Sequence, residues 1–125
     1  MLLLLAALLA PSVSAETLPE GTLTAIKRVP PRGFERCRGE IPRGPKRGVS
    51  TVGFSISPEG KPFDVVTTET LGPCTAKAAR RSVRRWRYEP VVIDGVAVTV
   101  TDVTTNIVFC YAEGCAELLG APTAP

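Results

Sequence analysis

An apolar stripe at helical spacing organises the second half of this chain. The positions of the stripe are Ala76, Ala79, Val83 and Trp86. Spacings of three and four residues place them on one face of a helix that packs on a core. Basic residues fill the positions between them and concentrate in the last two turns, where positive charge complements the helix dipole. The pattern predicts a helix that begins near Thr75, which could cap it, and that ends before Pro90.

Strict alternation before this helix predicts a β-hairpin. Val52, Phe54 and Ile56 alternate with small or polar residues and form one apolar face. The sequence Pro-Glu-Gly-Lys at 58–61 has turn chemistry. A second strand follows over residues 63–70, and we expect its Phe63, Val65 and Thr67 to share the inner face.

A third strand is predicted from Val96 to Phe109, the longest β-prone run in the chain. Its apolar positions are even-numbered as far as Val100 and odd-numbered from Val103 onward. A bulge near 101–102 would explain the change of parity. A short helix at 34–38 precedes the hairpin, so the predicted order is short helix, strand, strand, helix, strand. One further strand is possible within 22–29.

Length and charge place limits on the class of protein. The 125 residues suffice for one domain, and 15 basic against 12 acidic residues give a net charge of only +3. Aromatic residues do not alternate with the arginines at 80, 81, 84, 85 and 87, so we expect no nucleic-acid partner. Those arginines fit a solvated helix face better than an anion site, and both interpretations stay open.

The first 15 residues have the pattern of a secretory signal. An apolar run is followed by Pro11 and by small residues at 13 and 15, and cleavage there would leave Glu16 as the first residue. A short uncleaved membrane anchor is the alternative. The predicted organisation is a signal or anchor at 1–15, an N-terminal arm at 16–30, a domain at 31–111 and a flexible tail at 112–125.

Cysteine usage agrees with export, and the absence of histidine argues against catalysis. The four cysteines are Cys37, Cys74, Cys110 and Cys115. No zinc pattern and no Cys-x-x-Cys redox motif is present, so disulfides are expected, and spacing leaves all three pairings open. Because the chain lacks histidine, we expect no enzyme activity, no metal site and no cofactor.

Several of these motifs together resemble the C-terminal domain of the TonB family of energy transducers. They are Gly48 to Ile56, Pro58-Glu59-Gly60-Lys61, Ala79 to Val83, Arg85-Trp86-Arg87-Tyr88-Glu89-Pro90, and Asp94-Gly95. The resemblance covers residues 31–109. It implies an α+β fold, a three-stranded antiparallel sheet with two helices packed on one face. It also implies a core signature of Val83, Trp86, Tyr88 and Pro90.

The same resemblance implies a binding role in the periplasm, linked to transmembrane transport. Family members add an extended segment of an outer-membrane transporter as an extra strand, and an edge strand suits that role. The edge here would comprise Val103, Thr104, Thr105, Asn106, Ile107, Val108 and Phe109. The implied partner is a TonB-dependent outer-membrane transporter or another envelope protein. A second copy of the chain could also exchange strands with it and give a homodimer.

Two features of energised family members are not found in this sequence. They carry a membrane anchor with a functional histidine and a long proline-rich spacer, whereas about 15 residues, on the order of 50 Å when extended, separate the apolar run from the domain here. Inner-membrane anchoring would bring in ExbB and ExbD as partners. A stand-alone periplasmic structural or adaptor module without energy coupling is the alternative function.

The family fold also suggests a disulfide pairing. Cys37 lies in the first predicted helix and Cys74 just before the second, and those helices are neighbours in the family. Cys110 and Cys115 bracket a natural turn. We therefore expect the pairs Cys37–Cys74 and Cys110–Cys115.

Overall fold

The structure is a computed structural model that describes residues 11–37, 39–42 and 47–110. It contains one α-helix, seven strands and two short 3₁₀ helices within those residues. The strands are β1 (Ser12–Ser14), β2 (Ala25–Lys27), β3 (Arg47–Ile56), β4 (Pro62–Glu69), β5 (Arg87–Tyr88), β6 (Val91–Ile93) and β7 (Val96–Cys110). The helix α1 spans Pro73–Arg84, and the 3₁₀ helices span Ala15–Thr17 and Phe34–Cys37.

Five strands form the main sheet, in which β3 is central. The order is β1-β7-β3-β4, and β6 also pairs with β7. The three strands β7, β3 and β4 are antiparallel and match the predicted third strand and hairpin. The α+β class is thus confirmed, but the sheet has two more strands than expected. Both additions are three residues long, too short to produce a period-two pattern.

The short helix predicted at 34–38 is a single 3₁₀ turn. Phe34–Cys37 has only four residues, preceded by Gly33 at a φ of 74° and followed closely by Gly39. In so short a segment, the few helical hydrogen bonds do not offset the entropy lost in nucleating an α-helix. The two-helix detail of the predicted fold is therefore not confirmed among the described residues.

The hairpin buries the face that its alternation predicts. Val52, Phe54 and Ile56 are 0%, 4% and 1% exposed and lie under α1, which contacts β3 and β4. The turn closes with hydrogen bonds from the Ser57 amide to the Lys61 carbonyl and from the Gly60 amide to the Ser57 carbonyl, both 2.8 Å.

A bulge at Asp64 makes one hairpin prediction wrong. Asp64 has a φ of 52°, and the β3–β4 register shifts between Gly53 and Ser55. Val65 is buried as expected, but Phe63 pairs with Ser55 and is 40% exposed on the face away from the helix. The extra residue reverses the side on which Phe63 lies.

The start of α1 is set by a residue distant in sequence. The helix begins at Pro73, close to the predicted start near Thr75, and the missing amide hydrogen of Pro73 costs nothing at that position. The Glu40 carboxylate accepts hydrogen bonds from the amides of Cys74 (2.9 Å) and Thr75 (2.7 Å) and from the Thr75 hydroxyl (2.8 Å). Glu40 therefore caps the helix, in place of the predicted Thr75 cap.

The N-terminal arm packs against the last turn of α1. The Val29 carbonyl accepts hydrogen bonds from the Ser82 hydroxyl and, at 3.0 Å, from the Trp86 indole Nε1. Ser82 is 3% exposed, so this carbonyl satisfies a buried hydroxyl as well as the indole. The arm is thereby fixed to the core. β2 lies in the arm, within the predicted strand region 22–29, and pairs with β5.

Parts of the predicted organisation lie outside the described residues. These are the apolar run at 1–10, Cys115 and the tail at 112–125. Within the ranges 11–37, 39–42 and 47–110, no helix has the length and apolar character needed to cross a membrane.

Candidate partner-binding edge

The candidate site is the outer edge of β7, the edge opposite β3. The inner edge pairs with β3 from Val100 to Cys110. On the outer edge, β1 runs parallel to β7 and pairs Ser12 with Thr99 and Ser14 with Thr101. Among the described residues, no strand pairs with the outer edge from Val103 to Val108.

A bulge at Asp102 separates these two stretches of the edge. Asp102 has a φ of 58°, and the β3–β7 register shifts between Phe54 and Ile56. The bulge predicted near 101–102 is thus confirmed. The Asp102 carboxylate accepts hydrogen bonds from the hydroxyls of Ser14 (2.8 Å) and Thr101 (3.3 Å), which ties the end of β1 to the bulge.

Four of the seven side chains along the predicted edge already serve the fold. Val103 and Ile107 are each 5% exposed and face the core, as does the buried Phe109. Asn106 pairs with Thr51 and accepts a 2.9 Å hydrogen bond from its hydroxyl. The chemistry that this stretch can offer to a partner is therefore mainly that of backbone amides and carbonyls.

Three of the four residues of the predicted core signature lie in the core beneath the sheet, and Pro90 does not. Val83 is 0% exposed, Trp86 5% and Tyr88 6%, whereas Pro90 is exposed. The Tyr88 ring lies 6.1 Å from that of Phe54. Burial raises the pKa of Tyr88, and the nearby positive charge of Arg28 acts in the opposite direction. These residues support the fold and do not form a recognition patch.

The disulfide prediction is confirmed for one pair. Cys37 and Cys74 are bonded, with their Cα atoms 5.4 Å apart, and join the second 3₁₀ helix to the start of α1. Cys110 is also disulfide-bonded, and its predicted partner Cys115 lies outside the described residues.

No metal site is found in the part of the chain that the structure describes. Its cysteine and acidic side chains form no group of three able to hold a metal ion. The functional detail that sequence reasoning missed is β1, since nothing in Ser12–Ser14 distinguishes a strand from the end of a leader segment.

Comparison with known proteins identifies the family. The described residues form an α+β fold with one α-helix packed on a sheet whose edge is partly open. The family model described as "Gram-negative bacterial TonB protein C-terminal" matches residues 43–110. This match spans more than half of the chain, and the chain belongs to the TonB C-terminal family. That family consists of energy-transducing and interaction domains and is not an enzyme family.

A solved structure has the same fold. The solution NMR structure of the Pseudomonas aeruginosa TonB C-terminal domain matches with a TM-score of 0.52 and 21% sequence identity, covering 78% of this chain and 91% of that chain. At this identity the likeness extends to the fold alone. A search of curated proteins found no match.

Proposed function

We propose that this chain is a periplasmic binding domain that takes up an extended segment of a partner protein as an added strand on the outer edge of β7. Family membership supports a role in the cell envelope associated with transport. The partner we propose is an outer-membrane TonB-dependent transporter or another envelope protein.

The observation that carries this proposal is β1. The outer edge of β7 already accepts a strand at Thr99–Thr101, where the Thr99 amide donates a 2.9 Å hydrogen bond to the Pro11 carbonyl. The adjoining stretch from Val103 to Val108 belongs to the same strand and is anchored to β3 on its inner edge. It is therefore a rigid backbone template that a second strand can extend.

The size of the edge sets the size of the ligand. Six residues at 3.4 Å each span about 20 Å, and alternate residues of an edge strand direct both amide and carbonyl outward, which allows about six hydrogen bonds. A partner segment of six or seven extended residues would match. Since main-chain hydrogen bonds would supply most of the contacts, selectivity would depend mainly on the extended conformation of the segment.

Proline substitutions along β7 test the proposal. Consecutive residues of a strand direct their amides to opposite edges. One of the two variants Thr104→Pro and Thr105→Pro therefore removes an amide that points to the outer edge, and the other removes an amide that is bonded to β3. Circular dichroism and thermal melting identify the variant that keeps the fold. The matched control is alanine at the same position, Thr104→Ala or Thr105→Ala, because it keeps the amide.

The binding assay uses synthetic peptides that cover the periplasmic N-terminal segments of the host's outer-membrane transporters, measured by isothermal titration calorimetry. We expect the wild type and the alanine control to bind one or more peptides and the folded proline variant to lose that binding. Undiminished binding by the folded proline variant would refute strand addition at this edge.

A specific observation also favours the stand-alone adaptor. β1 begins at Ser12 and is already part of the sheet, so almost no chain separates residues 1–10 from the folded domain. An anchor at 1–10 would hold the domain close to the membrane that carries it. Intact mass after cell fractionation distinguishes the two functions. A soluble periplasmic species starting at Glu16 supports the adaptor, and a membrane-bound species supports a transducer that works with ExbB and ExbD.

A further inference from the structure

Five cations outside the β7 edge converge on one groove of the helix side. Lys77, Arg81 and Arg85 follow one another at intervals of four along α1 and its C-cap, and Arg32 and Arg36 lie on the segment that faces them. We call these five residues the basic groove. They line two adjoining cavities of about 260 Å³ and about 130 Å³, and Arg32 and Arg81 line both.

The two walls of the groove are fixed relative to each other. The Cys37–Cys74 disulfide lines the larger cavity and joins the facing segment to the start of α1. At the other end, the Val29 carbonyl accepts hydrogen bonds from Ser82 and Trp86 and so joins the N-terminal arm to the end of α1. Val29 and Ser82 line the smaller cavity. The groove is thus preorganised, which a single solvated helix face would not be.

The charges of the groove are not neutralised within the described chain. No carboxylate forms an ion pair with any of the five cations in residues 11–37, 39–42 and 47–110. Neighbouring arginines, in contrast, contact other protein groups. Arg80 donates a hydrogen bond to the Thr67 hydroxyl, and Arg87 donates hydrogen bonds to two backbone carbonyls. The guanidinium group of Arg28 lies over the Trp86 ring. Like charges held together without a counter-charge repel one another, and a bound anion would relieve that repulsion.

The spacing of the cations indicates the class of anion. Successive positions at i and i+4 lie about 6 Å apart along the helix, so Lys77 to Arg85 spans about 12 Å. Arginine guanidinium groups bind phosphate through two parallel hydrogen bonds. None of the described side chains that line the two cavities is aromatic, so these side chains provide no stacking platform for nucleic-acid bases.

We propose that the basic groove binds a small soluble anion that carries two or three linked phosphate groups. Arg32 and Arg81, which line both cavities, would bind it where the cavities adjoin. The two cavities are concave, and a small ligand can enter them, whereas the flat surface of an anionic membrane would contact exposed cations equally well wherever they lie. This site is separate from the proposed strand-binding edge, and its ligand would bind independently of a partner peptide.

Calorimetric titration of the oxidised chain with sodium tripolyphosphate, pyrophosphate and inorganic phosphate tests the proposal. We expect tripolyphosphate to bind more tightly than inorganic phosphate, and both to weaken as salt is raised above about 50 mM, because salt screens exposed charges. The double variant Arg32→Gln/Arg81→Gln should bind tripolyphosphate at least about tenfold more weakly than the wild type, a loss of about 1.4 kcal/mol.

The matched control is Lys61→Gln/Arg84→Gln, which removes the same charge from exposed positions outside both cavities. Its affinity for tripolyphosphate should stay within about twofold of the wild type, as expected for charges that act only through screened solvent. Should the first double variant fail to keep the wild-type melting temperature, Arg36→Gln/Lys77→Gln replaces it.

Three outcomes would overturn the proposal. They are the absence of tripolyphosphate binding by the wild type, an equal loss in the groove and control variants, and binding only to phosphatidylglycerol vesicles. The last would assign the basic residues to a membrane surface.

Discussion

Neutralising Glu40 should weaken the fold measurably, because its carboxylate precedes the β3–β4 hairpin and holds the start of α1, which follows the hairpin. Three hydrogen bonds of 2.7–2.9 Å converge on the two carboxylate oxygens. Glu40→Gln keeps one acceptor oxygen but removes the negative charge at the helix N-terminus, and turns an amide donor toward the helix amides. From helix-capping energetics we expect the free energy of unfolding to fall by about 1–2 kcal/mol.

For a domain of this size each kcal/mol shifts the melting temperature by about 4–8 °C, so the effect is easily measured by circular dichroism. Glu59→Gln is the matched control, because Glu59 is an exposed carboxylate of the β3–β4 turn that makes no side-chain hydrogen bond among the described residues. Its melting temperature should equal that of the wild type.

The pH dependence gives a second check. Burial acts to raise the pKa of Glu40, but hydrogen bonds from the Thr75 and Cys74 amides and the Thr75 hydroxyl outweigh it and hold the pKa below its ordinary value. A lowered folded-state pKa stabilises the protein above the unfolded-state value of about 4.3, and this contribution is lost as pH falls through the folded-state pKa. The gap between the wild type and Glu40→Gln should therefore be full at neutral pH and shrink in acid. Equal melting of Glu40→Gln and Glu59→Gln at pH 7, or a gap that persists in acid, would refute the capping role.

Three further substitutions probe other contacts of the fold. Trp86→Phe removes a buried hydrogen bond and core volume and should cost about 1–2 kcal/mol in urea denaturation followed by circular dichroism; an unchanged midpoint would contradict its core role. Gly60→Ala should cost at least about 2 kcal/mol, because Gly60 has a φ of 90° and a Cβ there would meet the Tyr88 carbonyl; wild-type thermal melting would contradict this. Replacing both Cys37 and Cys74 with serine should cost about 3–4 kcal/mol for a bond that spans 37 positions, and an unchanged melting temperature would contradict this.

The long periodic segments could be predicted from sequence because their pattern is uninterrupted. The helix stripe and the face of β3 each contain at least three apolar residues at the correct spacing, and all are buried. The bulge at Asp102 was visible because the apolar parity changes on either side of it. Family resemblance then supplied the Cys37–Cys74 pair, which spacing alone could not.

The features that were missed lack a local signal. The bulge at Asp64 is hidden because apolar residues occupy both faces of β4, with Val66 54% exposed and Phe63 40% exposed. The Glu40 cap joins positions 34 and 35 residues apart, so no capping motif precedes the helix. For the candidate site, the sequence identified the strand, but β1 and the division of the edge at Asp102 depend on tertiary pairing.

If residues 1–15 are cleaved as the sequence predicts, that cleavage would change what the chain can bind, because β1 lies among the residues removed. Proteolysis between Ala15 and Glu16 would remove Ser12–Ser14 together with their pairing to Thr99–Thr101. The precursor would then present a shorter docking edge than the processed form, and a strand within the leader would act as a temporary occupant during export. Peptide titrations of the full chain and of a form that starts at Glu16 measure this difference. If both forms bind with equal affinity and prefer peptides of the same length, the N-terminal segment has no such effect.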